Sequence, residues 1–397
     1  MTYVLLSHLY YKDKNEYNAL YEKRINAEFT QVLPIKIGEN TAFYCLSSDI
    51  LNHSLKIMEL DKRIVKIKSD LPKVALIQFA KNCLIDEINI TNDIEGVYST
   101  RKELFAVYNE LDKKGTKKRF SGLINKYNML MSNSDFPLNT STDIREIYND
   151  LVYREVAEDC PENIPDGEIF RKDIAEVTAP NQNVIHRGAF PEAKIIQLME
   201  QSLNILNQKD IPILIRVSIF HYLFGYIHPF YDGNGRTSRF ISSYLLSKEF
   251  EPLIGLRLSY TIKDRIKEYY SAFKECNNEK NKGDLTPFII MFLKIICASF
   301  ENLYDALEKR YNRLLEYYKR LLGNKEMTDD VKDFVYVLIQ AALFSDEGIT
   351  KKELIAELEM SASTVDKRLA KCRKYGILRE EKSGREYKYS YDLNASI

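Results

Sequence analysis

Residues 228–239 read His-Pro-Phe-Tyr-Asp-Gly-Asn-Gly-Arg-Thr-Ser-Arg, and the types present suit phosphate chemistry. His228 is the nearby group that takes a proton near neutral pH. Gly233-Asn234-Gly235 frees the backbone to turn its N–H groups inward, which makes an anion nest. Phe240, Ile241, Tyr244 and Leu245 recur at helical spacing, so Arg236 to Phe250 reads as a helix. The nest therefore opens a helix, where unpaired N–H groups and the dipole favour phosphate. Arg236 and Arg239 lie three apart and share a face, and two guanidiniums suit a polyphosphate. Asp232, beside the nest, suits a hard cation such as Mg²⁺ bridging phosphates.

This stretch resembles the signature of Fic-domain proteins, His-x-Phe-x-(Asp/Glu)-Gly-Asn-Gly-Arg-x-x-Arg, at every fixed position. The resemblance implies a mainly α fold with a short β flap. It also implies transfer of AMP from ATP, with Mg²⁺, to a Ser, Thr or Tyr hydroxyl of a target protein or of the chain itself. In that reading His228 is the catalytic base and Asp232 the metal ligand. Gly233, Asn234, Gly235 and Arg236 cradle the α- and β-phosphates, Thr237 and Ser238 belong to the same nucleotide-binding run, and Arg239 reaches the γ-phosphate. Phe230 packs inward and fixes the loop. Other branches of the family alter this loop, and its unaltered form favours adenylylation.

The elements around the loop carry three more such stretches. A helix from about Lys73 to Glu95 bears Leu76, Phe79, Leu84, Ile85 and Ile88, and ends in Thr91-Asn-Asp-Ile-Glu95-Gly96. Thr91 and Glu95 share a face, and Gly96 stands where a helix stop places a left-handed residue. The segment resembles the family's inhibitory motif, (Ser/Thr)-x-x-x-Glu-(Gly/Asn). That implies a Glu95–Arg239 pair which keeps Arg239 from the γ-phosphate, and in some relatives the same glutamate positions water for removing AMP. Val184, Ile185, His186 and Arg187 precede Gly188 and Pro191, which break periodicity, and they resemble the flap that aligns the target segment. Tyr269 and Asn277 match the family's adenine-pocket spacing. The loop Asn277 to Gly283 is longer than usual, which departs from that pattern.

The remainder bounds the organisation. The 397 residues suffice for two or three domains. Hydrophobic content of 45%, charged content of 29% and zero net charge predict a globular protein with no global pull toward nucleic acid or anionic membrane. The six cysteines (45, 83, 160, 276, 297 and 372) form no C-x-x-C pair, which argues against a zinc site and fits a reducing cytosol. No basic leader and no apolar run near the roughly 20 residues needed to span a bilayer are evident, so the expectation is a cytoplasmic protein with no membrane partner. A homodimer is compatible with the family, and no motif decides it. The expected domains are 1–74 (a hairpin around Gly38, then a helix), 75–322 (the Fic domain with its inhibitory helix), 323–330 (a linker) and 331–397. The last region resembles an α/β winged helix-turn-helix, with Lys367, Arg368, Lys371, Arg373 and Lys374 on its third helix. A basic Lys113–Arg119 run reads as a solvated loop. His221 reads as structural. The alternative function is a DNA-binding regulator whose Fic core senses nucleotide.

Overall fold

The computed structural model describes residues 3–111, 118–132, 134–178, 184–383 and 386–395. Most of the Lys113–Arg119 run lies outside them. The chain starts with helices α1 (Leu6–Lys12) and α2 (Lys14–Ile25), then the antiparallel hairpin β1 (Thr30–Ile37) and β2 (Asn40–Cys45). Gly38 turns that hairpin at a φ of +57°. Long helices α3 (Ser48–Asp70) and α4 (Lys73–Ile94) follow, then α5 (Arg101–Tyr108), α6 (Ser121–Leu130), α7 (Ser141–Tyr148) and α8 (Arg154–Asp159). A short π-helical turn, Asn149–Tyr153, joins the last two. The flap is a two-stranded ribbon of β3 (Glu176–Thr178) and β4 (Val184–Arg187). Next come α9 (Glu192–Asn207), α10 (Ile213–Ile227), α11 (Asn234–Glu249), α12 (Leu258–Asp264), α13 (Ile266–Asn277) and α14 (Thr286–Gly323). The helical run after Leu258 is broken at Arg265.

The C-terminal elements are α15 (Asp329–Phe344), β5 (Ile349–Thr350), α16 (Lys351–Leu358), α17 (Ala362–Lys374), β6 (Leu378–Ser383) and β7 (Glu386–Tyr391). Thr350 starts α16 with a reciprocal capping box to Glu353. The strands pair antiparallel in the order β5-β7-β6.

Two compact units divide the chain, one of residues 1–61 with 85–300 and one of 62–84 with 301–397. This division is drawn differently from the boundaries expected at 74 and 323. In the first unit α10 is apolar on all sides, and such a helix is stable only when surrounded. Val217, Ile219, Leu223 and Phe224 are fully buried, and α11 packs against it. In the second unit Phe79 stacks edge-on against Phe344, and the Asn82 side-chain amide donates to the Phe344 carbonyl at 3.1 Å.

Among the described residues, α14 is long and apolar enough by length and composition to cross a membrane, and 72% of its apolar stretch is buried within the protein. The sequence expectation concerned an uninterrupted apolar run, and Lys294 interrupts this one. Phe288, Phe292, Leu293 and Ile296 are core residues.

Candidate active site

Helix α10 delivers His228 and stops there. His228 adopts the left-handed conformation, at φ +52° and ψ +63°, while its N–H still bonds the Phe224 carbonyl at 2.9 Å. A non-glycine residue in this region costs energy, so the surroundings must hold it. Phe230, fully buried, stacks on Tyr148 at 3.8 Å and meets Phe170 edge-on. Asn234 closes the loop from within: its amide donates to the Phe230 carbonyl at 2.7 Å and accepts from the Phe230 N–H at 2.9 Å. Gly233, at φ +78°, then starts α11. A side chain there would strike Val152. The first-turn N–H groups of α11 have no acceptor within the helix, which leaves them for an anion.

Two fully buried arginines leave this first turn in different directions. Arg236 pairs with Glu155 of α8 at 2.8 Å and stands 3.7 Å from Asp232. Arg239 donates to the Thr91 hydroxyl at 2.8 Å, to the Thr91 carbonyl at 3.0 Å and to Glu95 at 2.8 Å. Glu95 also fills the space beside Gly235, where an added methyl would overlap its carboxylate. Gly96 ends the helix at φ +71°.

A cavity of about 610 Å³ brings together most of the residues singled out in the sequence. Glu95, His228, Asn234, Gly235, Ser238 and Arg239 supply charged and polar lining. His186, Tyr269 and Asn277 line it too, with Tyr270 and with Val177, Gly225, Phe273 and Lys274, which the sequence does not single out. Asp232, Gly233, Arg236, Thr237 and Arg187 lie outside this lining. Arg187 pairs with Glu176 across the flap ribbon at 2.7 Å, and the Thr237 hydroxyl bonds the Gly233 carbonyl at 2.8 Å. The backbones of Val184 and Ile185 form β4, and their side chains lie outside the described residues.

The histidine, tyrosine and asparagine side chains of the lining are cross-linked by hydrogen bonds. Asn277 accepts from the Tyr222 hydroxyl at 2.7 Å, and its amide approaches His186 Nδ1 at 3.4 Å. His186 Nε2 lies 2.6 Å from the Tyr226 carbonyl, which makes Nε2 the protonated nitrogen and Nδ1 the acceptor. His221 is fully buried between the Ser242 hydroxyl at 2.8 Å and the Tyr269 hydroxyl at 2.7 Å. Burial lowers its pKa to about 3, as suits a structural histidine.

His228 itself is held neutral. Burial, with the nearby His186 and Arg171, lowers its pKa to about 4 against an opposing pull from Glu95. At neutral pH its imidazole is unprotonated and free to take a proton. Glu155 shows the opposite effect: burial raises its pKa to about 7 despite Arg236. The sequence gives one signal for Glu155, since it falls on the stripe of Leu151, Val152 and Val156 that faces the core. A buried acid on an apolar stripe requires a partner.

Among the described residues, no group of three or more His, Cys, Asp or Glu side chains could hold a metal by itself. The Asp232 side chain is one third exposed, and one of its oxygens faces the Gly233 N–H. A lone accessible carboxylate fits a Mg²⁺ ion that takes its remaining ligands from phosphates and water.

Known proteins place this geometry. Residues 138–246 match the Fic/DOC family profile. A protein adenylyltransferase Fic of Nematostella vectensis is 37% identical over 115 residues, covering 27% of this chain and 24% of that protein. The protein adenylyltransferase fic-1 of Caenorhabditis elegans is 30% identical over 138 residues, 33% of this chain and 25% of that protein. The chain thus spans about a quarter of the length of the curated relatives it matches. A crystal structure of a Fic family protein from Desulfovibrio desulfuricans covers 89% of this chain and 99% of its own, with a TM-score of 0.55 at 20% identity, a likeness of fold. With the signature loop, the flap and α10–α11 arranged as described, the chain carries a Fic domain.

Proposed function

We propose that this chain transfers AMP from ATP to a protein hydroxyl and that Glu95 restrains it. The observation that carries this reading is the 2.8 Å Glu95–Arg239 pair in the wall of the cavity that also holds His228. The target oxygen bonds to the α-phosphorus, its proton passes to neutral His228, and pyrophosphate leaves. The first turn of α11 receives the phosphates through backbone N–H groups, since the Asn234 and Arg236 side chains are engaged elsewhere. Tyr269 and Phe273 supply apolar faces for the base and Asn277 a polar edge. Mg²⁺, when bound at Asp232, neutralises phosphate charge. The flap ribbon β3–β4 offers strand edges to an extended target segment. Glu95, in the wall of the same cavity, would also orient water for the reverse removal of AMP.

Mass spectrometry after incubation with ATP and Mg²⁺ tests the proposal. A charge-assisted hydrogen bond is worth about 1.5–3 kcal/mol, so Glu95→Gly should raise AMP labelling by roughly 10- to 100-fold. Loss of a general base costs about 10²- to 10⁴-fold, so His228→Ala should abolish it. Labelling of equal extent in wild type and Glu95→Gly would refute the restraint, and labelling that survives His228→Ala would refute the base.

A second reading rests on the C-terminal unit. Helices α15, α16 and α17 and the three-stranded sheet suit a winged helix, and α17 exposes Lys367, Lys371 and Lys374 on one face. Arg368 and Arg373 of the same helix are instead paired with Asp330 and Glu380. Binding of duplex DNA that strengthens at low salt and is lost in Lys367→Glu/Lys371→Glu would support phosphate contact by this face.

A further inference from the structure

Arg171 is a buried guanidinium bonded to backbone carbonyls. Its Nε donates to the His228 carbonyl at 2.9 Å, its Nη2 to the Ala189 carbonyl at 2.9 Å and its Nη1 to the Asp173 carbonyl. Its own N–H donates to the Pro229 carbonyl at 3.3 Å. These contacts draw three segments onto one side chain: the strand approach at 171–175, the flap exit at 188–189 and the signature loop at 228–229. Backbone bonds run alongside, from Ala189 N–H to the Ile227 carbonyl at 2.9 Å and from Gly188 N–H to the Ala175 carbonyl at 3.0 Å. Gly188 passes so close that an added methyl would meet both Arg171 and the His228 Cβ. Burying a charged group is costly unless its environment compensates it, and here carbonyl dipoles do so.

We propose that Arg171 is a positioning residue: its guanidinium ties the base of the flap to the backbone of His228, so that the target-aligning ribbon and the proton acceptor are set as one piece. Lysine cannot reproduce this, because a single ammonium lacks the planar fork that reaches several carbonyls at once. The same cation also bears on the imidazole. The groups that face His228 are Arg171, His186 from β4 and Glu95 just beyond the end of α4. The role of His228 as base rests on the function proposed above, so the tests need no nucleotide.

The experiment compares wild type with Arg171→Lys and Arg171→Met by histidine-selective NMR titration and by amide hydrogen exchange. Arg171→Met removes the charge and the tie. The His228 midpoint should rise by roughly one pH unit, since a like charge has gone, and exchange at Gly188, Ala189 and His228 should speed up at least tenfold. Arg171→Lys keeps the charge and breaks most of the tie, so exchange should rise while the midpoint stays near wild type. A folded Arg171→Met with wild-type exchange at these amides would overturn the proposal. If that variant does not fold, unchanged exchange in Arg171→Lys overturns it equally. Absence of AMP transfer in wild type itself, with both readouts as predicted, would count against the function and not against the tie.

Discussion

Buried charges at single residues set the chemistry of this chain. Glu155 and Arg236 are both nearly inaccessible, and removing one member of such a pair strands the other. Glu155→Ala should therefore destabilise the folded protein by about 3–5 kcal/mol, read as a lower denaturation midpoint. Glu87 is the second case. It is fully buried, accepts the Ser259 N–H at 2.9 and 3.0 Å, and burial raises its pKa to about 7. Between the ordinary carboxyl pKa and 7 the folded state binds this proton more strongly than the unfolded state. Stability from this group is thus largest in acid and falls as pH rises through that window. Glu87→Gln should remove that fall, so its stability relative to wild type should improve steadily from pH 4.5 to pH 7 in parallel urea titrations. Glu155 and Glu87 were legible only as acids on apolar stripes, with nothing to name their partners. The partner of Glu87 is a backbone N–H, which no residue type encodes. Arg171 hides for the same reason.

At the scale of elements, the loop between α10 and α11 was legible nearly whole, because its glycines, histidine and arginines have few other uses in combination. Its internal wiring was not. Asn234 and Arg236 read as phosphate contacts, and their side chains are spent on Phe230 and Glu155. Helix α4 shows how far spacing carries. Thr91 and Glu95, one turn apart, both reach Arg239. The glutamate alone is not the whole grip, because the Thr91 hydroxyl and carbonyl hold the same guanidinium. Thr91→Val keeps the shape and removes one acceptor. It should raise AMP labelling to a level between wild type and Glu95→Gly, and labelling equal to wild type would restrict the grip to Glu95. The flap was legible as a loop or short hairpin from its break in periodicity and the family resemblance, and β3 and β4 are too short to show alternation of their own.

For the whole molecule, the sequence reading divided the chain at a polar stretch, and compactness divides it elsewhere. Gly323 to Asp330 is short and polar as expected, yet residues 62–84 group with 301–397. Pattern along a chain marks where helices stop, and it carries no record of which later helix covers an earlier one. Truncation after Gly323 would leave Phe79 and Asn82 without Phe344. That fragment should melt at least several degrees below the full chain and bind more of a hydrophobic dye, and unchanged melting would contradict the importance of this packing.

The Glu95 carboxylate occupies Arg239 from the same chain, which makes it a competitor on a tether. Its strength is then an effective concentration, set by how rigidly α4 presents it, and for short tethers that is commonly on the order of millimolar or more. Under the proposed function, nucleotide supplied well below that level would meet an occupied guanidinium. Stiffening or loosening the last turn of α4 would then tune the threshold without altering any atom proposed to touch ATP.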